Sequence, residues 1–160
     1  MTTNSVDPSR FRQLCGRFAT GVVVITADDG DRPAGMTANS FTSVSLDPPL
    51  ISVNVDRSSD FHPVILAAPR FTVNVLAADQ EAMSRRFAAH DAPDRFAGIG
   101  YHRSQAGGIV LAGILGTIEC LRQEVFQVGD HTIVVGRVVG GESMDGRPLL
   151  YYRGGYHTLE

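Results

Sequence analysis

The chain has 160 residues, enough for one domain with a proper core and too few for two. It carries 14 basic and 17 acidic side chains, a formal charge of −3, and every basic residue is an arginine. The absence of lysine excludes Schiff-base, lysine-base and phosphate-loop-lysine chemistry, and a pI of about 5.9 lacks the basic footprint of a nucleic-acid binder. Cys15 and Cys120 are too few for a disulfide framework or a zinc site and are expected to be small buried thiols. Met1 to Arg10 is polar, without the apolar run of a secretory signal, and no stretch reaches the roughly 18 apolar residues of a membrane span. The expectation is one cytoplasmic domain, 1–160, with residues 1–8 as a flexible tail.

The elements follow in chain order. Asp7-Pro8 opens a helix, a capping carboxylate before proline at the first helical position. Phe11, Leu14 and Phe18 recur at helical spacing, and the helix is expected to end near Gly21. Val22 to Thr26 is a β-branched run and predicts a strand. Asp28-Asp29-Gly30-Asp31 predicts a turn, and a second strand is expected from about Ala34 to Ser45. Pro48-Pro49 breaks the chain. Leu50 to Val55 then alternates, with Ile51, Val53 and Val55 opposite Ser52 and Asn54. Phe71 to Val75 repeats that pattern. Ser59 or Asp60 is expected to cap a short helix reaching Ala67, and Asp79 another that buries Met83 and Phe87. Residues 89–112, rich in glycine, read as irregular. Strands return at about 113–124, 131–140, 148–152 and 155–159, with turn signals at Gly129-Asp130 and Asp145-Gly146. Six to eight strands without regular intervening helices predict a mainly β fold, a closed antiparallel barrel with three short peripheral helices.

Four segments carry candidate chemistry. Gly35 to Ser45 is dense in small hydroxyl and amide side chains. Such a strand suits hydrogen bonding to a flat polar heterocycle, and equally an edge strand with a solvated face. Asp56-Arg57-Ser58-Ser59 sets hydroxyls and a guanidinium before a short helix, which suits a phosphate or a plain capping turn. Arg85-Arg86 adds positive charge on the next helix. Gly129-Asp130-His131 places a histidine at a strand start. Tyr151, Tyr152, Arg153 and Tyr156 cluster near the end and suit a nucleotide or an aromatic hairpin. The five histidines have no metal-ligand spacing, so no metal site is expected. Dinucleotide-fingerprint, Walker and nucleophile-elbow motifs are absent, and no carboxylate pair is fixed by local spacing.

Four motifs in order resemble the short-chain flavin reductase family, the small component of two-component flavin-dependent monooxygenases. They are Phe18-Ala19-Thr20-Gly21 running into Val22–Thr26; Gly35-Met36-Thr37-Ala38-Asn39-Ser40-Phe41 through Ser45 and Pro48-Pro49-Leu50; Gly129-Asp130-His131 with Gly136-Arg137-Val138; and Pro148-Leu149 with Tyr152-Arg153-Gly154-Gly155-Tyr156. The resemblance spans about Phe11 to Leu159. It implies an FMN-binding split barrel, a homodimer, FMN or FAD as flavin and NADH or NADPH as reductant. By position it implies that Met36, Thr37, Ala38, Asn39 and Ser40 line the isoalloxazine and ribityl. Val53, Asn54, Ser58 and Ser59 would sit near the ribityl phosphate, and Arg86 and Phe87 would close that end. His131 would stand near the nicotinamide as the catalytic histidine, with Tyr152 and Arg153 around the same pocket. The implied activity is hydride transfer from NAD(P)H to free flavin, released to a partner monooxygenase. A tight FMN-binding electron carrier and a barrel relative acting directly on an organic substrate are the alternative readings.

Overall fold

The computed structural model describes residues 5–28, 30 and 32–160. Its elements are α1 (Pro8–Cys15), β1 (Thr20–Gly21), β2 (Val23–Asp28), β3 (Pro33–Ala38), β4 (Thr42–Leu46), β5 (Pro49–Asp56), α2 (His62–Ala67), β6 (Arg70–Val75), α3 (Glu81–Ala88), β7 (Tyr101–Arg103), β8 (Ile109–Leu111), β9 (Gly116–Val128), β10 (His131–Ser143), β11 (Leu149–Tyr152) and β12 (Gly155–Thr158). Asp29 and Asp31 of the expected 28–31 turn lie outside the described residues. No described helix is long and apolar enough to cross a membrane.

Seven strands form one antiparallel sheet in the order β3-β2-β6-β9-β10-β5-β4. The expected closure is not made by backbone pairing. β3 and β4 are the two edges of this sheet, so the barrel is split. The single strand expected over 34–45 is interrupted for the same reason. The chain leaves the β3 edge at Ala38 and re-enters at the opposite edge at Thr42, and residues 39–41 make that passage. Beyond Ser52, β5 has no strand neighbour on its outer side, because its pairing with β4 covers only Thr42↔Ser52 to Leu46↔Pro49. There the Ser40 hydroxyl accepts from the Asn54 backbone N–H and donates to the Asn54 carbonyl, both at 3.0 Å. One side chain thus takes the place of a missing strand at the seam.

The barrel interior holds Ile25, Val53, Val55, Phe61, Ile65, Phe71, Val73 and Val134. A second cluster lies on the outer face of β2 and includes Val22, Val24, Leu76, Phe87, Phe96, Ile109, Leu111 and Leu149. Burial on both faces explains why β2 is an unbroken apolar run. The outer cluster is covered by a β7–β8 hairpin inside the segment expected to be irregular. Asn74, fully buried on β6, fastens that hairpin. Its amide nitrogen donates to the carbonyls of Val24 (3.1 Å) and Ile109 (3.4 Å), and its oxygen accepts from the Leu111 N–H (3.0 Å). The alternation of 71–75 therefore marks a face covered by a polar clamp and not by solvent.

The expected helix caps differ. Asp7 does cap α1, accepting from the Arg10 N–H at 3.0 Å, but α1 stops at Cys15. Neither Ser59 nor Asp60 caps α2, whose first flanking residue is Phe61. The Ser59 hydroxyl donates to the Asp56 carbonyl (2.8 Å), and Asp60 accepts from Arg95. Asp79 does not cap α3 either. Gln80 flanks that helix and uses its amide to join the Ala77 N–H to the Ala112 carbonyl. Of the two thiols, Cys15 is exposed, contrary to expectation. Cys120 is buried, and that burial pushes its pKa up to about 12.

Removing the Asn74 clamp leaves the buried Leu111 N–H without its acceptor and takes a donor from the Val24 and Ile109 carbonyls, of which the second keeps the Thr26 hydroxyl at 2.7 Å. Asn74→Ala is expected to cost about 2–4 kcal/mol in urea unfolding. Ser40→Ala, at a solvent-accessible seam, is expected to cost about 1 kcal/mol. Equal losses for the two variants would contradict this assignment.

Candidate functional site

The seam opens into a groove of about 810 Å³. One wall is the end of β3 and the passage after it, Met36, Thr37, Ala38, Asn39 and Ser40. Asn54 and Asp56 of β5, with Val128, Asp130 and His131 at the β9–β10 turn, form the other wall, and Val6, Pro8, Phe11 and Arg12 of the α1 segment overhang it. Three separate sequence segments meet here because β10 pairs with the exposed end of β5 in a register that sets His131 opposite Asp56.

Hydrogen-bond bookkeeping separates framework from free groups. The Thr37 hydroxyl donates to the Ser84 carbonyl of α3 at 2.6 Å, and Ser40 is taken up by Asn54. Both hydroxyls therefore hold the wall in place. Among the described residues, the side-chain carboxamides of Asn39 and Asn54 have no protein partner, so each offers donors and an acceptor to the groove. The His131 Nδ1 lies 2.7 Å from the Asp130 carboxylate. A carboxylate accepts only, so Nδ1 is the donor of this pair and Nε2 is the nitrogen left without a protein partner.

The other expected residues fall elsewhere. The side chain of Val53 points into the barrel core. Ser58 donates through both its backbone N–H and its hydroxyl to Asp56 Oδ1, each at 2.8 Å, which holds the Asp56 carboxyl below its ordinary pKa. Ser59 closes the same turn, and Arg57 donates to the Gly129 carbonyl at 3.3 Å. The 56–59 segment is thus a self-capped turn that starts from the wall residue Asp56, and Ser58 and Ser59 do not line the groove. The Arg86 guanidinium donates to the carbonyls of Asp94, Arg95 and Ala97, and Phe87 is buried edge-to-face against Phe96. Neither reaches the groove. Tyr152 is half-buried, its ring 6.1 Å from that of His157. Arg153 lines a second, adjoining groove of about 1010 Å³ with Asn39, Tyr151, Gly154 and α1.

Sequence reasoning missed Phe11 and Arg12 of α1, together with Val128, as groove residues. The signal present was an apolar stripe on α1. The structure leaves that stripe uncovered, with no residue of α1 buried. Among the described residues, no cluster of three or more His, Cys, Asp or Glu is placed to hold a metal.

Residues 15–160 match the family described as flavin reductase like domain. The chain is 42% identical over 159 residues to a probable flavin reductase of Rhizobium meliloti, covering 99% of this chain and about half, 51%, of that protein. It is 40% identical over 161 residues to the reductase subunit of a flavin-dependent monooxygenase of Rhodococcus jostii, covering 100% of this chain and 82% of that one. The fold superimposes on an NADH:FAD oxidoreductase of Streptomyces globisporus, solved with NAD and FAD fragments, with a TM-score of 0.91 at 36% identity, over 99% of this chain and 98% of the other. Split barrel, seam groove and family match agree, and the chain belongs to the flavin reductase family.

Proposed function

We propose that the seam groove is where this chain holds flavin and nicotinamide together, and that the protein reduces free FMN or FAD with NADH or NADPH for use by a partner monooxygenase. The observation that carries this reading is the convergence of two unpaired carboxamides and one histidine nitrogen on a single open groove. The edge of a flavin's pyrimidine ring alternates acceptors with one donor. Asn39 and Asn54, each both donor and acceptor, match that alternation. Ala38 adds little bulk, so a flat ring system can lie close to the backbone there.

When both are bound, nicotinamide and flavin supply the hydride transfer themselves. The chain's part is to hold the rings at reacting distance, exclude water and set donors where charge develops. Thr37 and Ser40, locked to Ser84 and Asn54, keep the wall from yielding as a ring is pressed against it. His131, oriented by Asp130, presents Nε2 on the wall opposite Met36–Ser40 and polarises or orients the nicotinamide side without serving as an obligatory base. Ser58, Ser59, Arg86 and Phe87 act from behind, fixing the 56–59 turn and the 94–97 loop.

The active form is proposed to be a cytoplasmic homodimer that passes reduced flavin on by diffusion. Large apolar side chains exposed on β4 and at the end of β9 support the dimer. Leu46 is 92% exposed, and Val44, Phe126 and Val128 are about half exposed.

Steady-state NADH and NADPH oxidation with FMN, FAD and riboflavin tests the activity. Rapid flavin-dependent oxidation is expected; a yellow protein that oxidises neither reductant would instead be an electron carrier. His131→Ala is expected to slow reduction and raise the apparent KM for NAD(P)H while leaving flavin affinity near wild type. Wild-type reduction rates in stopped flow would contradict its role. Light scattering is expected to give twice the 17.2 kDa chain mass, and a monomer would overturn the dimer.

A further inference from the structure

The β9–β10 turn that carries His131 stands out from the barrel. Residues 123–130 are all exposed, and the Asp130 side chain is 92% exposed. Gly129 adopts φ +61°, and a Cβ built there would meet nothing within 4 Å, so packing does not hold the turn in place. The role of His131 nevertheless needs its ring in one position. The bond from Nδ1 to Asp130 fixes the ring only relative to its own turn.

Arg57 ties that turn to the barrel. His131 pairs with Asp56 at the end of the β5–β10 ladder. One residue further on, the Arg57 backbone N–H donates to the Asp130 carbonyl at 3.0 Å, and its guanidinium Nη1 donates to the Gly129 carbonyl at 3.3 Å. Among the described residues, and strand pairing apart, no other hydrogen bond joins residues 128–131 to another segment.

Arg57 is itself anchored. Ser58 gives its backbone N–H and its hydroxyl to the Asp56 carboxylate, and the Ser59 hydroxyl donates to the Asp56 carbonyl, each at 2.8 Å. The adjoining carboxylates are therefore engaged, Asp56 by Ser58 and Asp130 by His131, and the guanidinium goes to a carbonyl instead. Arg57 does not line the seam groove, so its effect on a bound ligand passes through the turn.

We propose that Arg57 is a positioning residue for hydride transfer: by clamping the Gly129 carbonyl to the fixed 56–59 turn, it holds His131 where Nε2 meets the nicotinamide. The proposal rests on the reductase reading for the reaction that His131 serves, and not for the clamp itself. A displacement of about 1 Å near reacting groups costs up to ~100-fold in rate. One exposed hydrogen bond can therefore matter to turnover while adding little to stability.

Substituting the side chain leaves the backbone N–H bond in place, so the variants keep the ladder. The test is stopped-flow reduction of FMN by NADH in wild type, Arg57→Ala, His131→Ala and the double variant. Arg57→Ala is expected to slow reduction roughly five- to tenfold, with FMN affinity and Tm near wild type. The double variant is expected to be no slower than His131→Ala, because the clamp has nothing to position once the imidazole is gone. Arg57→Lys, which keeps a charged donor, is expected to recover most of the rate. Losses that multiply in the double variant overturn the proposal. So does an Arg57→Ala protein that loses affinity for FMN but not for riboflavin, the mark of a phosphate contact. NMR of the flavin-free protein reads the clamp without activity. The His131 ring signals are expected to shift or broaden in Arg57→Ala while those of His62, His90, His102 and His157 stay, and unmoved His131 signals overturn the clamp. Wild type that oxidises no NADH overturns the reductase reading and the catalytic role together, and the NMR result then decides the clamp alone.

Discussion

Everything at the site depends on an unclosed seam. Seven strands curl towards closure, but β3 and β4 remain edges, joined only by the passage through residues 39–41. An edge strand exposes backbone donors and acceptors that must be satisfied by something. Here Ser40 satisfies Asn54 at one point, and the rest of the opening is left as a groove. A fully closed barrel of the same strands would have no such opening between β3 and β5. The division between framework hydroxyls and free carboxamides follows from this geometry. The hydroxyls that hold the edges have used their one donor and can only accept from a ligand, whereas the free amides of Asn39 and Asn54 offer donors as well.

The groove wall is kept rigid from behind. β2 is buried on both faces, and Asn74 ties the β7–β8 hairpin over the outer one. Gly136 lets β10 pass close to Phe71 and Cys120, where an added Cβ would lie 2.5 Å and 2.7 Å from them. Arg86 draws together the 94–97 carbonyls under the same cover. The arginines thus divide into two groups. Seven act as staples within the fold, and among the described residues the guanidiniums of Arg12, Arg17, Arg137, Arg147 and Arg153 have no protein acceptor. A chain without lysine assigns both tasks to one residue type.

Much of this was legible in the sequence. Periodicity located β5, β6 and the C-terminal hairpins, and the hydroxyl- and amide-rich segment at 36–40 forms one groove wall. What the sequence did not show was pairing at a distance. Nothing local in residues 34–45 tells that the chain must cross between opposite sheet edges at Asn39. Capping residues at 59, 60 and 79 had competing partners, Asp56, Arg95 and the Gln80 bridge, that are visible only in three dimensions. Arg86 looked available for a phosphate because its carbonyl partners sit eight to eleven residues away in a loop without a periodic signal. The apolar stripe of α1 was readable, but its lack of cover by its own chain was not.

The most direct test of the account is an NMR titration of the isotopically labelled full chain with FMN, following backbone amides. The largest shifts are expected at residues 36–40, at Asn54 and at 128–131, with little change in the β7–β8 hairpin. Shifts concentrated instead at the distant cleft of Ala77–Asp79 and Gly113–Leu115, with the seam amides unmoved at saturation, would contradict it.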